Sequence, residues 1–135
     1  MRVSDPLRGI VANRANEMCE YCQYPETVSS APLEVDHIVP QSAKGPTEPE
    51  NLALACSHCN RYKSKHQIGT DPLTKIDVRL FNPRTDKWRV NFVLNRKTGE
   101  IEGQTPIGRA TVVVLLMNTE HRIQMRRKLI DLQVL

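Results

Sequence analysis

Two Cys-x-x-Cys pairs, Cys19 with Cys22 and Cys56 with Cys59, constrain this chain more than any other feature. Each pair forms a tight knuckle that offers two sulfurs to one ion, and four thiolates complete the tetrahedron that structural zinc takes. The pairs must therefore meet in space, and residues 23–55 must fold over the ion as a closed loop. That loop contains Asp36-His37, and Asn60 follows the last cysteine directly. A metal staple and a candidate catalytic histidine thus share one short unit. Four reduced core cysteines are the alternative, but packing alone rarely produces doubled Cys-x-x-Cys spacing. Two disulfides fit less well still.

At 135 residues the chain is one domain, or a compact core with an extension. Aromatics make up only 4% of it, so large core anchors are few, and a structural metal compensates. Zinc supplies about 10–16 kcal/mol of apparent binding free energy, which becomes folding free energy when the unfolded chain has no site. Met1 to Ile10 holds no continuous apolar segment and no stretch approaches a membrane span. The expectation is a soluble, cytoplasmic protein with no membrane partner, where thiols stay reduced. The net charge is +4 with a pI near 9.0. Residues 1–68 carry seven Lys/Arg against eight Asp/Glu, whereas residues 69–135 carry twelve against seven. A basic second half is compatible with a polyanion such as DNA and equally with a solvated surface.

Apolar and small residues at Leu7, Ile10, Val11, Ala15 and Met18 predict a helix over 6–18, with Asp5-Pro6 as cap and first turn. Residues 33–39 read as a strand ended by Pro40. Gln41 to Glu50 reads as a loop, Asn51 to Ala55 as a second strand, and the stretch after Cys56 as a short helix ending before Gly69. Further on, strands are expected over 88–94 and 100–104 around a 95–99 turn. A helix starts at Thr105-Pro106, and a final amphipathic helix from about Thr119 carries Arg122, Arg126, Arg127 and Lys128.

Three segments then line up in order: Cys19-Glu-Tyr-Cys22, Glu34-Val-Asp36-His37-Ile-Val-Pro40, and Glu50-Asn51-Leu-Ala-Leu-Ala-Cys56-Ser-His-Cys59-Asn60-Arg-Tyr-Lys63. Over residues 19 to about 66 the chain resembles the HNH endonuclease family, whose core is a ββα-metal finger. The resemblance implies His37, Asn51 and Asn60 as the three name-giving positions, an H-N-N variant. Many members place a histidine third; Asn60 is a weaker ligand for zinc or nickel but suits Mg²⁺ or Mn²⁺. The block 80–84 with 105–111 is similar to the tail of small free-standing bacterial HNH proteins, which implies no defined activity.

The residues also speak for themselves. Phosphodiester hydrolysis needs an activated water, a cation to offset phosphate charge, and help for the departing alkoxide. Neutral His37 can take the water's proton, since free imidazole titrates near about 6.5. Asp36 and Asn60 offer hard oxygen ligands for Mg²⁺ or Mn²⁺. Adjacent strand residues face opposite ways, which sets the base opposite the metal. Asn51 is expected to orient the loop that carries His37, and Glu34 to support the metal or its waters. Read singly, His37 could be a hydrogen-bonded surface residue, Asn51 a turn cap and Asn60 a solvated helix residue. Arg61, Lys63 and Lys65 on the short helix are candidates to hold the DNA backbone, or a solvated face. His58, His66 and His121 fall outside the site.

The expected architecture is α+β: an HNH core with its N-terminal helix and four-cysteine zinc site over 1–68, and a strand-plus-helix extension over 69–135. The expected function is metal-dependent hydrolysis of DNA by a one-metal, histidine-base route. The alternatives are a zinc-stabilised DNA-binding module without cleavage and a zinc-scaffolded protein-interaction domain.

Overall fold

A computed structural model describes residues 3–135, which are mixed α and β and divide into two compact units. The first comprises the chain up to Gln67 together with Asn82–Asp86, and the second comprises Ile68–Phe81 with Lys87–Leu135. Among the described residues, no helix is long and apolar enough to cross a membrane.

Helix α1 (Asp5–Arg14) opens the first unit, capped by Ser4 Oγ, which accepts from the Leu7 amide. It is shorter than the apolar spacing predicts. The backbone turns at Asn16 and Glu17, both left-handed, and leads into the first cysteine knuckle. Strands β1 (Glu34–His37) and β2 (Leu52–Ala55) form an antiparallel hairpin with Asp36 opposite Ala53 and His37 opposite Leu52. Helix α2 (Ser57–Lys63) follows, completing a ββα unit. All of β2 is buried, and both α1 and α2 pack on the hairpin. Strand alternation puts Glu34 and Asp36 on one face with Ala55 and Ala53, whose small side chains leave room for α2. Val11, Tyr21, Leu33, Leu52 and Leu54 fill the core.

The second unit contains a hairpin that the sequence reading did not anticipate, β3 (Ile68–Thr70) with β4 (Asp77–Arg79). Its turn is held by Asp71, which accepts from Thr74 and is gripped through two bonds by Arg109. That guanidinium holds the Asp71 carboxyl well below the usual carboxylate range. The predicted strand over 88–94 begins instead as a helical turn, α3 (Trp88–Asn91), before β5 (Phe92–Leu94) pairs with β6 (Ile101–Gly103). Helices α4 (Pro106–Val114) and α5 (Glu120–Asp131) are capped by Thr105 and Thr119, whose hydroxyl oxygens accept from the amides of Gly108 and Arg122. Arg126 is not on a solvated face of α5. It is buried, donating to the carbonyls of Gly99 and Met117 and to Asn118 Oδ1, while Arg127 and Lys128 are exposed.

Candidate metal centre and active site

The four cysteines converge as their spacing demands: their sulfurs all lie within 4.8 Å of one another and all four residues are buried. In both knuckles the first sulfur accepts the amide N–H of the second cysteine, at 3.4 Å. The knuckles are joined through β2, because the Glu20 amide donates to the Leu54 carbonyl and the Leu54 amide to Glu20 Oε2, both at 2.8 Å. Arg84 closes the other oxygen of Glu20. Zinc–sulfur bonds of about 2.3 Å in a tetrahedron put sulfurs about 3.8 Å apart. The Cys22–Cys56 separation of 3.7 Å matches. Burial pushes the Cys19 thiol well up, and crowding by the other thiols does the same to Cys59. Four thiolates therefore need a cation among them, and the donor set is that of a structural zinc site.

Nearby on β1, side chains alternate between two environments. On the α2 side, Asp36 is 5% exposed and Lys63 2%, with Lys63 Nζ 3.1 Å from Asp36 Oδ2. Tyr21, the residue between the first two cysteines that faces inward, donates its hydroxyl to the same oxygen at 2.8 Å. Lys63 also donates to the carbonyls of His37 and Ile38, both at 3.1 Å. One turn earlier on α2, Asn60 Nδ2 donates to Glu34 at 2.6 Å. Asn60 and Lys63, three residues apart, thus match Glu34 and Asp36, two apart on the strand. Burial raises the Asp36 carboxyl, opposed by Lys63 and the Tyr21 hydroxyl. The Tyr21 phenol is pushed up by burial and by Asp36.

Lys63 accordingly departs from the expectation of a cation free to hold a phosphate. Its ammonium turns inward onto Asp36 and the His37 and Ile38 carbonyls, so that all three of its protons find acceptors. Arg61 and Lys65 remain exposed. Arg61 lies over the Tyr62 ring, which also packs against His58.

His37 lies on the opposite side of β1, half-buried, with Nε2 2.9 Å from Thr47 Oγ1. Burial holds its imidazole below the usual range, and Asp36 opposes that shift. Asn51 is buried between strand and loop. Its Oδ1 accepts from the Val39 amide, and its Nδ2 donates to the carbonyls of Val39 and Pro46. Gly45 meets the same knot: a Cβ there would lie 1.8 Å from the Val39 oxygen.

A second cation, hard and divalent, would find oxygen donors on the α2 side. A carboxylate offers about four lone-pair sites. Among the described residues, Asp36 Oδ1 is met only by Lys63, at 3.4 Å. Asn60 gives its amide nitrogen to Glu34, and among the described residues its Oδ1 has no partner and could ligate a cation. The chemistry of this set suits Mg²⁺ or Mn²⁺.

Tyr21 and Thr47 are neighbours of the site that the sequence reading missed. The aromatic hydroxyl inside Cys-Glu-Tyr-Cys was a usable signal for the first. A hydroxyl ten residues away across a loop gave none for the second.

Residues 19–66 match the HNH endonuclease family. This segment is an HNH endonuclease domain. The chain is also 45% identical over 80 residues to the CRISPR-associated endonuclease Cas9 of Corynebacterium diphtheriae, covering 56% of this chain and 7% of that protein. It therefore spans less than a tenth of the length of that relative. No solved structure matches the chain.

Proposed function

We propose that this chain is a metal-dependent HNH endonuclease that hydrolyses DNA phosphodiesters by a one-metal route, with His37 as the general base. The observation that carries this reading is a half-buried imidazole on one side of β1, kept neutral by burial, with Asp36 and the Asn60 amide on the other. Asp36 and Asn60 would hold Mg²⁺ or Mn²⁺, which when bound offsets charge on the phosphate oxygens. His37 takes a proton from water as the water oxygen bonds to phosphorus and the scissile P–O bond breaks, and the departing oxygen takes a proton from solvent. A positioned base of this kind contributes about a hundredfold to ten-thousandfold. Asn51 keeps the loop beside His37 in one conformation. Arg61 and Lys65 hold phosphates and so position the duplex rather than read its sequence. The four cysteines hold a structural zinc that fixes Asn60 next to Cys59.

A supercoiled plasmid tests the proposal. Nicking in Mg²⁺ or Mn²⁺ that disappears in His37→Ala, with zinc and fold retained, is the expected result. Equal nicking by His37→Ala, or none by the wild type in either metal, refutes it. One observation favours the second reading, a DNA-binding module without cleavage: the Asp36 carboxylate is already matched in charge by Lys63. Salt-dependent DNA binding with no nicking would establish that reading.

A further inference from the structure

The loop between β1 and β2 is tied down at successive points. The amides of Ala43 and Gly45 both donate to the Pro40 carbonyl, Lys44 turns left-handed, and Gly45 sits against the Val39 oxygen with no room for a side chain. Asn51 then takes the Pro46 carbonyl at 2.9 Å. The next residue is Thr47, whose hydroxyl lies 2.9 Å from His37 Nε2 and also receives a longer contact from Gln41 at 3.5 Å. A rigid path therefore runs from Asn51 through the Pro46 carbonyl to Thr47 and ends on the imidazole. Among the described residues, Nδ1 of His37 has no hydrogen-bond partner.

Neutral imidazole carries one proton and one free lone pair. If the Thr47 hydroxyl donated to Nε2, the ring proton would sit on Nδ1 and no lone pair would face water. A working base needs the other tautomer. We propose that Thr47 is the positioning residue for His37, accepting the Nε2–H proton so that the ring holds one orientation and Nδ1 is the nitrogen that takes the proton from water. This rests on His37 acting as the base.

The test uses the full zinc-loaded chain, labelled with ¹⁵N and ¹³C, without a second metal. The wild type is expected to show the His37 ring protonated on Nε2, with a slowly exchanging Hε2 close to the Thr47 methyl group. Thr47→Val should lose that signal and the order of the ring, and Thr47→Ser should restore both. In plasmid nicking, Thr47→Val should lower kcat by about tenfold to a hundredfold through misorientation, leaving KM for DNA unchanged. Serine should recover the rate. A wild-type ring protonated on Nδ1 overturns the assignment, as does a Thr47→Val ring that stays ordered while nicking at the wild-type rate. Equal nicking by His37→Ala overturns the nuclease reading and this inference together, so the two failures are told apart.

Discussion

Replacing Lys63 with methionine should be among the most damaging single changes to the first unit. Methionine fills a similar volume but strands the Asp36 carboxylate, which is 5% exposed, and leaves the His37 and Ile38 carbonyls without their donor. Breaking a buried pair by removing one partner costs about 3–5 kcal/mol, a third or more of a small protein's typical stability. Adding Asp36→Asn removes the stranded charge yet keeps an acceptor for Tyr21. The double variant should therefore recover about 2–3 kcal/mol of the loss, read as the coupling in a double-mutant cycle. The pH dependence has a definite sign. Burial already raises Asp36 above its unfolded value, so the folded state holds a proton that the unfolded state has released, and this group's contribution falls as pH rises through that window. Without the ammonium, which lowers Asp36, the window extends upward, and Lys63→Met should be less destabilising at pH 6 than at pH 8. Urea unfolding at fixed zinc measures all of this. A loss below about 1 kcal/mol, or single losses that merely add, refutes the buried pair.

Arg61→Ala and Lys65→Ala should each flatten the salt dependence of DNA binding by about one ion while changing stability by less than about 0.5 kcal/mol; a shifted melting point with unchanged DNA affinity would contradict their surface role. Cys56→Ser should lose zinc and unfold, seen by metal content and circular dichroism, and survival of both would undo the four-sulfur site. Gly45→Ala forces a carbon into the Val39 oxygen and should cost about 1–3 kcal/mol, with slower nicking. Because burial lowers His37, the acid limb of the pH–rate profile should fall below the ordinary imidazole value of about 6.5. A limb above that value would mean the ring is not desolvated.

The metal centre was legible in the sequence because thiolate spacing is a local constraint that few folds satisfy. Asn51 and Asn60 were legible as a pattern, and the loop-holding role of Asn51 with them, but the bond from Asn60 to Glu34 was not. The fate of Lys63 depends on the register of α2 over β1, which brings Asn60 to Glu34 and Lys63 to Asp36, and a list of basic residues does not encode it. Arg126 shows the same thing: its helix reads as amphipathic, but the guanidinium turns inward to three oxygens. Short elements were lost for a different reason. Ile68–Thr70 offers three residues of alternation and Asp71-Pro72 resembles any loop, so the hairpin rests on the Asp71–Arg109 pair, 38 positions apart. At Trp88–Asn91 the β-favouring residues yield to a helical turn, whose Asn91 side chain bonds the Lys87 carbonyl.

The first unit is discontinuous in the chain, reclaiming Asn82–Asp86 after fourteen residues given to the second. A ribosome that has released residues up to Gln67 has made every cysteine and the histidine, but not the arginine that seals Glu20. Zinc capture can begin during synthesis, whereas the first unit reaches its finished form only after the segment around Arg84 has emerged. Shortening the protein at the apparent end of the HNH segment would remove that closing strap.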